Sequence, residues 1–171
     1  MPTREDILEQ LRTIPDPEMP ISIVDLGIIE QIDLTKGSKT RVSISILPTF
    51  VGCPALPMIE EQVREKIGKM VGVESVDVRF VFDPPWSVDR ITQAGRESLK
   101  AHGVTVPERG SRLAVHGTAQ LTTQLRTSAV PCPFCNSTST YLESPFGPTR
   151  CRMIYYCEAC KNSFEHLKRL A

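Results

Sequence analysis

Four cysteines set as two Cys-x-x-Cys pairs, Cys132/Cys135 and Cys157/Cys160, restrict this chain more than any other feature of its sequence. That spacing forms a tight knuckle aiming two thiolates at one ion, and two knuckles complete a tetrahedral four-sulfur site. The 21 residues between the pairs, Asn136 to Tyr156, have the length of a β-hairpin returning the chain to the first knuckle. Pro131 and Pro133 stiffen that knuckle. Residues 131–171 are too few to build a stable apolar core alone, so a bound ion has to supply much of their folding free energy. A closed structural site favours zinc, with rubredoxin-like iron as the rival. The expectation is a C-terminal zinc-ribbon mini-domain over residues 131–171.

Two cysteines stand outside this pattern. Cys151 lies between the pairs and fits neither. It reads either as a buried, inert cysteine of the ribbon's hairpin or as an extra thiol, a spare ligand or partner-facing group. Cys53, in "VGCP", immediately precedes "PALPMIEEQVREKI" and so lies at or near a helix N-terminus. Unpaired amides and the helix dipole favour a thiolate there. Gly52 would permit a tight backbone approach, and Pro54 would suit a first helical position. On these grounds alone Cys53 is either a buried structural cysteine or a reactive one.

The first hundred residues read as a compact α/β domain. Thr3 and Asp6 resemble a capping box, Ile7, Leu8 and Leu11 give an apolar stripe, and Pro15 and Pro17 stop that helix. A proline-punctuated loop leads to a strand over 28–34, the turn "TKGSK", and a hairpin partner alternating Val42, Ile44 and Ile46. Ile59, Val63, Ile67 and Met70 mark one face of a second helix. "VESVDVRFVF" alternates Val76, Val78, Phe80 and Phe82 as a third strand, placed by a helical crossover so that it can run parallel to the second. After "DPPWS", Val88, Ile91 and Leu99 suggest a last helix to about Ala101, with Trp86 as a packing anchor. The expected order is α-β-β-α-β-α: a small mixed three-stranded sheet with helices over residues 1–103. A Gly-, Ser-, Thr- and Gln-rich linker is expected over 104–130.

Composition narrows the function classes. The formal net charge is zero, so no global basic field points to nucleic acid or membrane. Residues 131–171 carry only 5 basic against 3 acidic side chains, a thin footprint for phosphate, which disfavours a nucleic-acid-binding ribbon. The uncharged run Val42–Ile59 holds Pro48, Pro54 and Pro57 and does not suit a membrane span. "MPTREDILEQ" is charged and helical in pattern, unlike a signal peptide, so a cytoplasmic chain with reduced thiols is expected. No GxSxG, HExxH, P-loop or GxGxxG is present, and His102, His116 and His166 are isolated. Nothing supplies a base for Cys53 as an enzymatic nucleophile.

Three segments carry a resemblance. "DPEMPISIVDLGII" (Asp16–Ile29), "LPTFVGCPALPMI" (Leu47–Ile59) and "FDPPWSVDRITQAGRESLKAHGV" (Phe82–Val104) together resemble the small domain of iron–sulfur cluster assembly and transfer factors. The tail, with "CPFC", "FGPTRC" and "CEAC", resembles that of the PaaD (PaaJ) family, small accessory subunits encoded with the phenylacetyl-CoA epoxidase (ring oxygenase) complex. The resemblance implies that Cys53 is the cluster-handling or reactive thiol, with Asp16, Glu18, Asp25 and Thr49 forming its site, and it brings Cys151 into the family pattern. It further implies a non-catalytic maturation or accessory protein of phenylacetate catabolism. Its partners would be the epoxidase components, above all the iron–sulfur reductase, and its cargo a transient iron–sulfur cluster. Such clusters take four protein ligands, so a homodimer, Cys151 or the client has to supply what Cys53 does not. The alternative is a zinc-ribbon nucleic-acid-binding or structural scaffold protein.

Overall fold

The structure, a computed structural model, describes residues 1–110 and 129–169. The chain divides into two compact units, Met1–Gly95 and Arg96–Arg169.

In the first unit, helix α1 (Arg4–Arg12) starts where the sequence places it. The Asp6 N–H donates to Thr3 Oγ1 at 3.2 Å, and the Thr3 N–H donates to the Asp6 carboxylate at 2.8 Å. This reciprocal pair satisfies amides that the first turn leaves open. Strands β1 (Ile29–Lys36) and β2 (Thr40–Ile46) form the antiparallel hairpin. Helix α2 (Leu56–Gly68) then crosses over to β3 (Val73–Phe80), which pairs parallel to β2 in the order β1-β2-β3. Ile59, Val63 and Ile67 of α2 are buried, as are Val42, Ile44 and Ile46 of β2 and Ile7 and Leu11 of α1. The strand period of two and the helix period of 3.6 thus meet in one apolar layer, each buried side chain contributing about 1.5–3 kcal/mol.

Several boundaries differ from the sequence expectation: β1 runs Ile29–Lys36 rather than 28–34, and α2 ends at Gly68, so that Met70, expected on its apolar face, lies beyond the helix. Strand β3 ends at Phe80, and Phe82 is left exposed. Beyond Val81, whose N–H reaches Ile46, Pro84 and Pro85 offer no donor to extend the ladder. The expected last helix is also split. Val88–Arg90 form a 3-10 turn, Ile91 is extended, and helix α3 begins only at Gln93 and runs to Ala101. Ser87 caps the turn through the Asp89 N–H at 3.2 Å, and the Thr92 hydroxyl receives the Gly95 N–H at 3.0 Å. Val88, Ile91 and Leu99 are nevertheless all buried. Their spacing signalled burial rather than one continuous helix.

The second unit holds a four-stranded sheet in the order β4-β7-β6-β5. Strands β5 (Thr140–Ser144), β6 (Arg152–Cys157) and β7 (Ser163–Leu167) pair antiparallel, and β4 (Val104–Thr105) lies parallel to β7. Val104 and Thr105, expected to open the linker, are therefore strand residues. Residues 111–128 of that expected linker, His116 among them, lie outside the described residues. Among the described residues no helix is long and apolar enough to cross a membrane.

Candidate functional site

The four cysteines of the two knuckles converge. Cys132 Sγ lies 3.6 Å from Cys160 Sγ, and Cys135 Sγ lies 3.6 Å from Cys157 Sγ. All four sulfurs fall within 4.8 Å of one another. Four thiolates bound tetrahedrally at about 2.3 Å would sit about 3.8 Å apart, so the cage fits one ion of zinc or iron size. A disulfide would need about 2.05 Å.

The two knuckles share one construction. The Cys132 N–H donates to the Ser137 carbonyl at 3.0 Å and its carbonyl accepts the Asn136 N–H at 2.9 Å; Cys157 does the same with Asn162 and Lys161, both at 2.9 Å. Asn136 and Lys161 occupy the left-handed region, at φ 58° and 61°. Asparagine tolerates that conformation, whereas a lysine there costs about 1 kcal/mol, a local strain offset by closing the cage. Beneath the sulfurs, Met153, Tyr155 and Phe164 pack with the buried Cys132 and Cys157, the two rings stacking at 5.8 Å.

Without an ion the thiols compete for charge. Asn162, through its side chain first, draws Cys160 down to about 6 against the effect of desolvation, with Cys132 and Cys157 assisting. The Ser137 amide favours a Cys135 thiolate, but burial and bonding to Cys157, Cys160 and Cys132 push it up to about 12. Ion binding must therefore displace protons. The four-cysteine cluster is a metal-binding site, and it includes all four residues expected from the spacing.

Cys151 is not in the cage. It is buried at the start of the β6 segment, 3.1 Å from the Thr149 hydroxyl, and its carbonyl accepts the Lys168 N–H at 2.8 Å. His166 is buried on β7, its Nδ1 2.8 Å from the Thr105 hydroxyl, and burial lowers it to about 4. It is a packed, neutral imidazole.

In the first unit, Cys53 lies on the loop between β2 and α2 and is half-exposed. It precedes the helix by three residues, and its carbonyl accepts the Leu56 N–H at 3.3 Å. Pro57, rather than Pro54, occupies the first turn. Gly52 also differs from the expectation: among the described residues no atom approaches the position of a Cβ within 4 Å, but its φ of 80° calls for glycine. The loop leaves the end of the sheet where Leu47 donates to Ile28 and Val81 to Ile46. Val51 and Met58, on either side of Cys53, are exposed.

The acidic residues are organised within the segment between α1 and β1, whose end meets the end of β2 through the Leu47–Ile28 bond. Asp16 Oδ1 accepts the N–H groups of Glu18 and Met19, both at 2.9 Å, and so closes the turn that Glu18 sits in. Asp25 accepts Arg12 Nη1 at 2.6 Å and the Thr92 hydroxyl at 2.9 Å on one oxygen, and the Ser22 hydroxyl at 2.8 Å on the other. Burial alone would raise this carboxyl, but Ser22, Thr92 and Arg12 together hold it below its ordinary value. Asp16 and Asp25 thus act as fixed acceptors that shape the loop; Thr49, half-exposed, lies on the Cys53 loop itself.

Two residues of this arrangement had no site signal in the sequence. Trp86 donates its indole N–H to the Leu26 carbonyl at 3.0 Å. Arg90 donates to the Gly27 carbonyl at 2.8 Å and to the Glu30 carboxylate at 2.6 Å. A Cβ on Gly27 would lie 2.5 Å from the Arg90 carbonyl, so the Asp-Leu-Gly turn needs its glycine for close approach as well as for its φ of 75°.

Sequence comparison agrees with this two-part construction. Residues 4–78 match the family described as iron–sulfur cluster assembly protein, and residues 116–168 match the PaaD zinc beta ribbon domain. Fold and site together define a protein class in which an iron–sulfur cluster assembly domain carries a zinc β-ribbon. A protein of Escherichia coli (strain K12), named as one of the subunits of a "Putative 1,2-phenylacetyl-CoA epoxidase", is 34% identical over 168 residues, 98% of this chain and 93% of that one. The chain belongs to the PaaD family. Its first part is also 37% identical over 91 residues to an Fe-S protein maturation auxiliary factor of Porphyromonas gingivalis, 53% of this chain and 85% of that one. A conserved hypothetical protein of Thermotoga maritima has a similar structure, with a TM-score of 0.50 and 33% identity, covering 57% of this chain and 94% of its own.

Proposed function

We propose that this protein is an accessory maturation factor of the phenylacetyl-CoA epoxidase (ring oxygenase) system in phenylacetate degradation. It assists assembly of an iron–sulfur cluster or its transfer to the reductase component, and performs no ring chemistry itself. One observation carries the reading. An assembly-type domain with Cys53 on an accessible loop continues into a four-cysteine ribbon, and the likeness to the E. coli protein runs through both parts. The names of the shorter relatives, as Fe-S protein maturation factors, support the role of the first part.

In this reading Cys53 is the cluster-handling thiol. Asp16 and Asp25 position the neighbouring backbone, and Glu18 and Thr49 complete the surroundings. Zinc is the ion of the ribbon, held by Cys132, Cys135, Cys157 and Cys160, where it supplies folding free energy rather than catalysis. Cys53 alone cannot complete a cluster, so a homodimer or the client contributes the remaining ligands.

The test is a deletion strain complemented with the wild-type chain or with Cys53→Ser. Deletion is expected to leave the oxygenase polypeptides expressed while the purified reductase loses iron and sulfide, and Cys53→Ser is expected to restore neither. Fully loaded reductase from the deletion strain would overturn the maturation role.

A further inference from the structure

The four cysteine residues of the cage are unequally exposed, in a way that structural metal binding does not require. Cys132 and Cys157 are fully buried, Cys160 is half-buried, and Cys135 is exposed. A small oxidant arriving from solvent therefore meets Cys135 first. Metal coordination keeps such a sulfur as thiolate, the form that oxidants attack. The pairing of distances adds a second asymmetry. Both 3.6 Å contacts run between knuckles, Cys135 to Cys157 and Cys132 to Cys160.

We propose that Cys135 is a peroxide-sensitive modification site whose oxidation releases the ribbon's ion and replaces it with disulfides joining the two knuckles. The Cys135 thiolate attacks hydrogen peroxide, forming an S–O bond and breaking the O–O bond, with hydroxide leaving. The Cys157 thiolate then attacks the resulting sulfenic sulfur; the S–S bond forms and a second hydroxide leaves. Two thiolates are oxidised by two electrons and one peroxide is reduced. The cage loses two of its four ligands and with them its hold on the ion. Cys132 and Cys160 react in the same way with a second peroxide.

Topology decides what this does to the fold. Disulfides within each knuckle would leave residues 132–135 and 157–160 unconnected once the ion departed. Disulfides between knuckles tie the chain at the points the ion tied, closing the β5–β6 hairpin. The ribbon would thus give up its metal without losing the Tyr155–Phe164 core. The inference rests on the proposed zinc occupancy, which metal analysis of the untreated protein checks first.

The experiment uses the full zinc-loaded chain, titrated with hydrogen peroxide. Released zinc is read with a chromogenic chelator, disulfides by mass-spectrometric peptide mapping, and ribbon packing by near-ultraviolet circular dichroism. The expected result is zinc release in step with a Cys135–Cys157 disulfide, then Cys132–Cys160, with the tyrosine signal retained. Reductant plus zinc should restore the starting state. A Cys53→Ser chain should give the same release curve, which separates this chemistry from the cluster-handling proposal. First products within the knuckles, oxidation confined to Cys53 and Cys151 with zinc retained, or loss of the tyrosine signal with the zinc would each overturn the proposal. A ribbon that holds no ion would overturn it and the zinc reading together.

Discussion

Replacing Asp25 tests whether the acidic motif acts through architecture. The carboxylate is mostly buried, with 16% of its side chain exposed, and it receives two hydroxyls and one guanidinium. Arg12 is half exposed, so that ion pair contributes no more than about 1 kcal/mol. Hydrogen bonds from Ser22 and Thr92 to a charged acceptor contribute about 1.5 kcal/mol each. Asp25→Ala should therefore cost about 3–4 kcal/mol, and Asp25→Asn, which keeps one acceptor oxygen, about 1–2 kcal/mol. The assay is urea unfolding followed by Trp86 fluorescence. Trp86 is the sole tryptophan of the chain and is bonded to the carbonyl of Leu26, the next residue after Asp25. Because the folded carboxyl is held below its unfolded value, its contribution is complete above the unfolded pKa, about 3.9, and is lost as pH falls through the folded one. The difference between wild type and Asp25→Asn should be constant at neutral pH and shrink only under acid conditions. A loss below about 0.5 kcal/mol for Asp25→Ala, or a difference unchanged in acid, would refute this account.

Other substitutions probe the two units separately. Cys157→Ser should abolish tight metal binding and collapse the near-ultraviolet signal of Tyr155 while the Trp86 unfolding curve stays in place; a shared loss of both signals would contradict separate stabilisation. Thr40 is fully buried on β2 and its hydroxyl has no hydrogen-bond partner among the described residues, so Thr40→Val should be neutral or stabilising by about 1 kcal/mol in urea unfolding. Cys53→Ser should change stability by only about 1 kcal/mol, measured the same way, since a half-exposed loop thiol contributes little packing. His166 should make the ribbon acid-sensitive. From pH 6.5 down to about 4 the unfolded chain takes a proton that the folded one refuses, a loss of about 3 kcal/mol, and His166→Gln at the same zinc excess should flatten that slope.

What the sequence revealed follows from how local each signal is. The capping box of α1 spans four residues, and the knuckles bring their ligands together over three, so both were legible. Burial periodicity also identified Ile59, Val63, Ile67 and the β2 core correctly. It could not separate a 3-10 turn plus a short helix from one long helix, because Val88, Ile91 and Leu99 are buried in either case. Strand β4 was hidden for the opposite reason. Its two residues have no period, and they are defined only by pairing with Glu165 and His166, some sixty positions later.

The Cys53 end of the first unit shows the same limit at a functional level. Cys53, Gly52 and the charge-free loop stand together in the chain, so the thiol is legible in the sequence. Its supporting frame does not stand together: Arg12, Ser22 and Thr92 converge on Asp25, while Trp86 and Arg90 hold the Leu26–Gly27 turn from about sixty residues away. None of these polar contacts leaves a periodic trace. An isolated glycine after Asp-Leu, before an apolar run, was the available clue that another segment approaches closely. Under the role proposed for Cys53, this arrangement would let the acidic motif act through the backbone without supplying ligands. Asp25 spends its acceptor oxygens on the protein, and what it fixes is the backbone from which Ile28 receives Leu47 and the Cys53 loop departs. Loss of Asp25 should therefore resemble loss of loop order, appearing as faster alkylation or proteolysis around Cys53, rather than loss of a metal ligand.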